Sequence, residues 1–253
     1  MDLRERHHDT ARRHPWERAR LSFVEQLVAT HAGAGSGPVV DIGAGDGYVA
    51  AAFADTNRAV FAVDAHYTDA DIARLRTPSL QPSREAPTDV AADVVLLLDV
   101  IEHVHDDVGL LRIARDLLTK DGIAVITVPA WPALFSSHDR ALLHHRRYTP
   151  TMLRTAIAHA GLRVVVDGGV FHGLLLPRAF AVLAERLRPG RIDAVVGVDV
   201  GVGVGVGVGH FAAPAVVGDV ITAALRAEQR LSDVAARRGL AVPGLSQFAV
   251  VRR

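Results

Sequence analysis

The 253-residue chain has no cysteine. That excludes disulfides and thiolate-bound metal centres. It also lacks net charge: Lys and Arg together number 28, as do Asp and Glu. No overall field therefore draws it to nucleic acid, and it carries neither a basic stripe nor an N/D-P-P-Y/F-type motif. Lysine is almost missing, Lys120 being the only one. No apolar run reaches the roughly 18 residues that would span a membrane. The first twenty residues are charged and histidine-rich (His7, His8, His14) without an apolar stretch, so they do not read as a secretory signal. These absences predict a cytoplasmic enzyme of a single domain (1–253), with a core large enough to be stable. The expected partner is a small molecule and not nucleic acid; a homodimer and weak membrane association stay open.

What is present begins with Val39-Val40-Asp41-Ile42-Gly43-Ala44-Gly45-Asp46-Gly47. This reads as a buried strand entering a turn with glycine at alternate positions. Such a loop brings bare backbone close to a ligand, because glycine has no Cβ to hold it off. A dinucleotide loop would read G-x-G-x-x-G. Here the third glycine comes one residue early and Tyr48 stands in its place. Ala59 to Asp64 reads as a second short strand ending in an acid. Asp64 follows Gly43 by about twenty residues, the spacing at which a carboxylate reaches ribose hydroxyls in a βαβ nucleoside site. Asp93 to Leu98 is a third apolar run, ending in Asp99-Val100-Ile101-Glu102-His103-Val104.

The pattern D-x-G-x-G-x-G at Asp41–Gly47 resembles motif I of the class I methyltransferases that use S-adenosylmethionine. Asp99–Val104 resembles their motif IV, D-V-I-E-H-V. The resemblance covers roughly residues 35 to 170 well and the final strand moderately. It implies a Rossmann-like α/β fold: a seven-stranded, mostly parallel sheet with helices on both faces. It also implies S-adenosyl-L-methionine as cofactor and S-adenosyl-L-homocysteine as product. Asp41 would meet the ammonium of the cofactor's amino-acid end, and loop N–H groups its carboxylate. Gly43, Ala44, Gly45 and Gly47 would line that end, Asp64 and Ala65 the ribose, and Asp99 and Val100 the strand-four side.

Periodicity places helices at about 15–30, 48–54, 69–76, after Asp106 or Asp107, and 150–159. Gly122 suits the exit of the fourth. Further strands are expected at about 123–128, 162–170 and 246–251. Residues 77 to 91 hold three prolines, and no strand can be placed there from the sequence. Between the last two strands, 171–245 reads as a helical insertion serving as a lid, substrate or oligomer region. It has apolar helical spacing at 174–187 and 216–234, and a Gly-Val alternation at 197–209. Glycine at every second position gives strand pairing a large ordering cost and a poorly pinned register, so a loop is expected.

The segment after strand five, Val128 to Thr149, should overhang the reactive methyl group. It resembles a P-A…L-F-S…H-D…G-H-x-R-R-Y-T signature of a bacterial subgroup of small-molecule methyltransferases, with Leu143-His144 where that subgroup often has glycine-histidine. Methyl transfer to a hydroxyl needs the acceptor held in line and its proton removed. His138 or His145 is the expected base and Asp139 its orienting partner. Arg146 or Arg147, with Tyr148, would clamp an anionic acceptor, because arginine's fork binds two oxygens; His103 would line the site. The plainer alternative has Arg146, Arg147 and Tyr148 fixing the loop to the sheet. Clustered His and Asp can bind a divalent ion, but no pair has helical i, i+4 metal spacing, so none is expected. The function expected is methyl transfer to a small-molecule or lipid-like acceptor, most readily at oxygen. The alternatives are a nicotinamide-dependent oxidoreductase and a non-catalytic module that binds S-adenosylmethionine.

Overall fold

The computed structural model describes residues 13–33, 35–187, 215–240 and 242–253. Its centre is a seven-stranded sheet in the order β3-β2-β1-β4-β5-β7-β6. The strands are β1 (Val39–Ile42), β2 (Val60–Val63), β3 (Leu80–Ser83), β4 (Ala92–Leu98), β5 (Leu118–Pro129), β6 (Arg163–Val170) and β7 (Ser246–Arg252). β1 to β5 pair in parallel, while β7 runs antiparallel to both of its neighbours, β5 and β6. β1 and β4 are apolar along most of their length because helices cover both faces of the sheet.

The helices are α1 (Pro15–His31), α2 (Tyr48–Ala54), α3 (Asp69–Leu75), α4 (Asp107–Leu117), α5 (Ser137–Ala141), α6 (Pro150–His159), α7 (His172–Leu187) and α8 (Ala215–Arg237). One core layer packs Phe23 and Leu27 of α1, Phe53 of α2 and Leu225 of α8 against the sheet. The other packs Leu111 of α4 and Leu153 and Ile157 of α6. Caps fix where helices begin. The side chain of Asp106 accepts from Gly109 N at 2.8 Å, and that of Thr149 from Met152 N at 3.2 Å with Pro150 at the first turn.

The structure places β3 where the sequence offered no strand. It is four residues long, contains Pro82, and lies at the sheet edge, the one place where a missing N–H costs no ladder bond. Gly122 is not a helix exit: α4 ends at Leu117, β5 starts at Leu118, and Gly122 lies inside that strand. A Cβ at Gly122 would come 2.8 Å from the Ala92 carbonyl oxygen, so glycine there allows close strand approach. Two helices, α7 and α8, lie between β6 and β7; the Gly-Val alternation at 197–209 lies outside the described residues. α8 packs along α1, with an Arg18–Asp219 ion pair at 2.7 Å and a Gln26–Asp233 hydrogen bond at 3.0 Å. Among the described residues no helix is long and apolar enough to cross a membrane.

Candidate active site

The carboxyl ends of β1, β2 and β4 bring Asp41, Asp64 and Asp99 to one edge of the sheet. The turn after β1 runs through Gly43 at φ +74° and Gly47 at φ +82°, the left-handed region that glycine enters at little cost. A Cβ on Gly43 would come 2.5 Å from Val100 Cγ2, and one on Gly47 2.5 Å from Leu75 Cδ2. Both glycines therefore allow close packing as well as the turn.

The N–H groups of this loop point mostly inward. Gly43 N and Ala44 N donate to the Val63 carbonyl at 2.7 and 3.0 Å, and Gly47 N to Ala44 O at 3.0 Å. Gly45 N donates to Asp64 Oδ2 at 3.0 Å, and His66 N to Asp64 Oδ1 at 2.9 Å. These bonds hold the loop in place. Asp64 keeps further acceptor capacity, since an ionised carboxylate offers about four lone-pair directions.

Arg20 of α1 lines the cleft with Asp41, Gly43, Ala44, Asp46, Val49 and Leu98. Arg20 Nη1 bonds Asp99 Oδ2, and its guanidinium lies 4.9 Å from the centre of the Trp16 ring. Arg13, just before α1, bonds Asp46 and sits 3.9 Å over the Tyr48 ring. The start of α1 thus covers the glycine loop. Sequence reasoning missed Arg20, whose partner lies 79 residues away along the chain.

Asp41 is buried at the floor of this cleft. Burial, reinforced by the charges of Asp64 and Asp46, pushes its pKa up to about 7 despite nearby Arg20. Close by, the buried hydroxyl of Tyr67 has no partner among the described residues. Asp99 is held below the usual carboxylate range: burial alone would raise it, but Arg20 and the Thr127 hydroxyl, 3.1 Å away, favour the ionised form. Asp99 also adopts φ +56°, which Asp tolerates better than most residues. Ala65 is exposed beside Asp64.

On the acceptor side, Asp139 of α5 is fully buried and central. Its Oδ1 accepts from Arg147 Nε at 2.7 Å and meets His144 Nδ1 at 3.0 Å. Its Oδ2 accepts from Ser136 N at 3.0 Å and Arg178 Nη2 at 3.1 Å. Burial would raise its pKa, but the His144 bond, Arg147 and Arg178 together hold it well below the ordinary value. Asp139 therefore orients His144 rather than His138 or His145. His145 is exposed and stacks on His105 with ring centres 3.9 Å apart. His138 is half-buried, and burial with Arg178 nearby lowers its pKa to about 4, so it is neutral and a weak base.

The three residues expected to clamp an anion are engaged inside the protein. Arg146 bonds Asp107 at 3.0 Å and the carbonyls of Val104 and His105 at 3.1 and 2.8 Å. Arg147 joins Asp139 to Ala130 O. Tyr148 is buried, its hydroxyl donating to Asp107 Oδ2 at 2.8 Å. Their donors fix the loop to the sheet and to α4, which is the plainer of the two sequence readings. The His103 ring meets His144 edge-on, centres 4.6 Å apart. Beside them Glu102 is completely buried, and neither carboxylate oxygen has a partner among the described residues. Burial and the charge of Asp99 raise its pKa well above the ordinary value.

A family model described as a methyltransferase domain matches residues 10–166, more than half of the chain. A protein of Mycobacterium tuberculosis, named a probable S-adenosylmethionine-dependent methyltransferase, is 30% identical over 142 residues, 53% of this chain and 52% of its own length. One of Mycolicibacterium smegmatis, similarly named, is 31% identical over 144 residues, 53% of this chain and 55% of its own. The chain thus spans about half the length of the curated relatives it matches. Among solved structures, the CcbJ methyltransferase from Streptomyces caelestis aligns with a TM-score of 0.51 at 16% identity, covering 94% of this chain and 89% of that one. A candidate sarcosine dimethylglycine methyltransferase from Galdieria sulphuraria aligns with a TM-score of 0.54 at 12% identity, covering 91% and 83%. Identities this low show a shared fold.

Proposed function

The chain belongs to the methyltransferase-domain family, and from that premise we propose that it moves a methyl group from S-adenosylmethionine to an oxygen of a small-molecule or lipid-like acceptor. One observation carries the cofactor reading. A single cleft holds the buried Asp41 carboxyl and the Arg20 guanidinium. Opposite charges so placed fit the ammonium and carboxylate of an amino acid. The unpartnered Tyr67 hydroxyl and the close-packed glycine turn fit the rest of such a ligand, and Asp64 suits ribose hydroxyls. A dinucleotide would instead bring a pyrophosphate toward Asp41, Asp46 and Asp99, against loop amides already bonded elsewhere.

When bound, the cofactor supplies an electrophilic methyl carbon on a sulfonium. Asp41 and Arg20 hold its amino-acid end, with Asp64 at its ribose. Asp99, fixed by Thr127 and Arg20, shapes the wall between β4 and the acceptor. The cluster around His144, whose Nδ1 is fixed by Asp139, would face the acceptor oxygen. The insertion roofs this side. Arg178 of α7 bonds Asp139 and Ser136, and Glu185 accepts from Ser137 N at 2.9 Å.

Calorimetry with S-adenosylhomocysteine tests the reading. Saturable binding is expected, weakened at least tenfold by Asp64→Ala. Folded protein that binds NADH and not S-adenosylhomocysteine would refute it.

A further inference from the structure

Histidine and carboxylate groups beyond β4 form a cluster on the far side of Asp99 from the glycine turn. One nitrogen each of His103 and His144 and one oxygen of Glu102 lie within 4.8 Å of one another. The three come from two segments: Glu102 and His103 from the turn after β4, His144 from the end of the loop after β5. This is why a search for a helical i, i+4 pair predicted no metal.

We propose that Glu102, His103 and His144 bind one divalent transition-metal ion, and that the acceptor oxygen completes its coordination. The inference rests on the methyl-transfer reading above and specifies how the acceptor is activated. Three observations carry it. The donor set, two imidazoles and one carboxylate, is a recognised catalytic ligand set for zinc-like ions and leaves a coordination position open. Glu102 is wholly buried, and neither oxygen has a partner among the described residues, a costly state that a cation would relieve. His144 already has the outer bond typical of a metal ligand: Nδ1 meets the Asp139 carboxylate at 3.0 Å, leaving Nε2 for an ion. Asp139 is in turn locked by Arg147 and Arg178. Such ions require donor distances of roughly 2.0–2.2 Å, so the three donor atoms must draw together when one binds.

An acceptor hydroxyl bound to the ion gives up its proton to solvent water more readily, because the positive charge stabilises the oxyanion. That oxygen then forms its bond to the methyl carbon as the carbon–sulfur bond breaks, with the electron pair passing to sulfur. In this arrangement His144 is a ligand and not a free base.

The test uses the full chain made without a histidine tag, stripped with a chelator and titrated with Co²⁺. It is followed by visible absorption and by metal analysis after gel filtration, and S-adenosylhomocysteine binding is measured by calorimetry on the same samples. One Co²⁺ per chain is expected, with affinity reduced at least tenfold in His103→Gln and His144→Gln. Circular dichroism confirms the fold of each variant; His103 is only half-buried, so His103→Gln decides if a variant at a more buried position unfolds. Co²⁺ bound equally well by both variants would belong to other histidines, such as His7 and His8, and would overturn the proposal. So would the absence of a stoichiometric ion. A sample that binds S-adenosylhomocysteine but no Co²⁺ sinks the metal site and leaves the methyl-transfer reading standing. One that binds Co²⁺ but no S-adenosylhomocysteine keeps the ion site, but refutes the methyl-transfer reading and with it the role given to the ion.

Discussion

Asp41, at the carboxyl end of β1, keeps its proton up to about pH 7 in the free protein because burial disfavours its charge. A ligand ammonium needs the ionised form, so below pH 7 binding must first release that proton. Apparent affinity for S-adenosylhomocysteine should therefore rise with pH, by up to about tenfold per unit, and level off above pH 7. Calorimetry across pH 5.5 to 8 checks this (~0.5-unit steps suffice to define the slope). Asp41→Asn should weaken binding and flatten the profile. Leu143 makes a second prediction. It holds φ +60° with its side chain largely exposed, at the position where the resembling subgroup often has glycine. Leu143→Gly removes left-handed strain of about 1–2 kcal/mol but adds unfolded-state entropy of about 0.5–1 kcal/mol. Thermal unfolding should show an unchanged or slightly raised Tm. At this scale the three strand-end acids could be read from the sequence, because each follows an apolar run directly. Arg20 and His144 could not: one depends on a partner across the fold, the other on which of three neighbouring histidines the loop turns toward Asp139.

α1 covers the glycine turn through Arg13 and Arg20 and packs on α8 behind. A ligand carboxylate competing for Arg20 should tighten this cover. Hydrogen exchange of the amides from Arg18 to Val24 is expected to slow when S-adenosylhomocysteine is added, and Arg20→Met should abolish the slowing. An unchanged exchange rate with ligand bound would show that α1 plays no part in holding it. Most elements were legible because apolar spacing and caps agree; α2, for example, occupies the predicted Tyr48–Ala54. β3 was not, since four residues including a proline carry too little periodic signal, and only pairing with β2 defines the strand. Gly122 misled for the opposite reason. Its backbone freedom suggested a helix end, whereas the requirement was space beside Ala92.

Across the molecule, buried ionisable groups tie stability to pH in both directions. His138, lowered to about 4, favours the neutral form in the fold, so its contribution is present above its ordinary pKa near 6.5 and is lost as pH falls toward 4. Asp41, raised, acts oppositely: folding favours its protonated form, and stability declines as pH rises from about 4 through 7. His138→Gln should thus be less sensitive to acid than the parent between pH 6.5 and 4, as urea denaturation at each pH will show. A parallel loss in both proteins would remove His138 from the account. The fold class was readable from the alternation of strands and helices, which dictates a sheet covered on both faces. The acceptor side was less so, because its chemistry lies in contacts between segments.

The placement of β7 reaches into how the protein is made. It follows every other strand along the chain yet lies between β5 and β6, with Phe248 wholly enclosed. On a ribosome, β5 and β6 emerge well before their shared neighbour, leaving two bare strand edges able to pair with other nascent chains. The sheet can close only when residues 246–252 leave the exit tunnel, so a chaperone that shields those edges until then should raise the yield of folded protein.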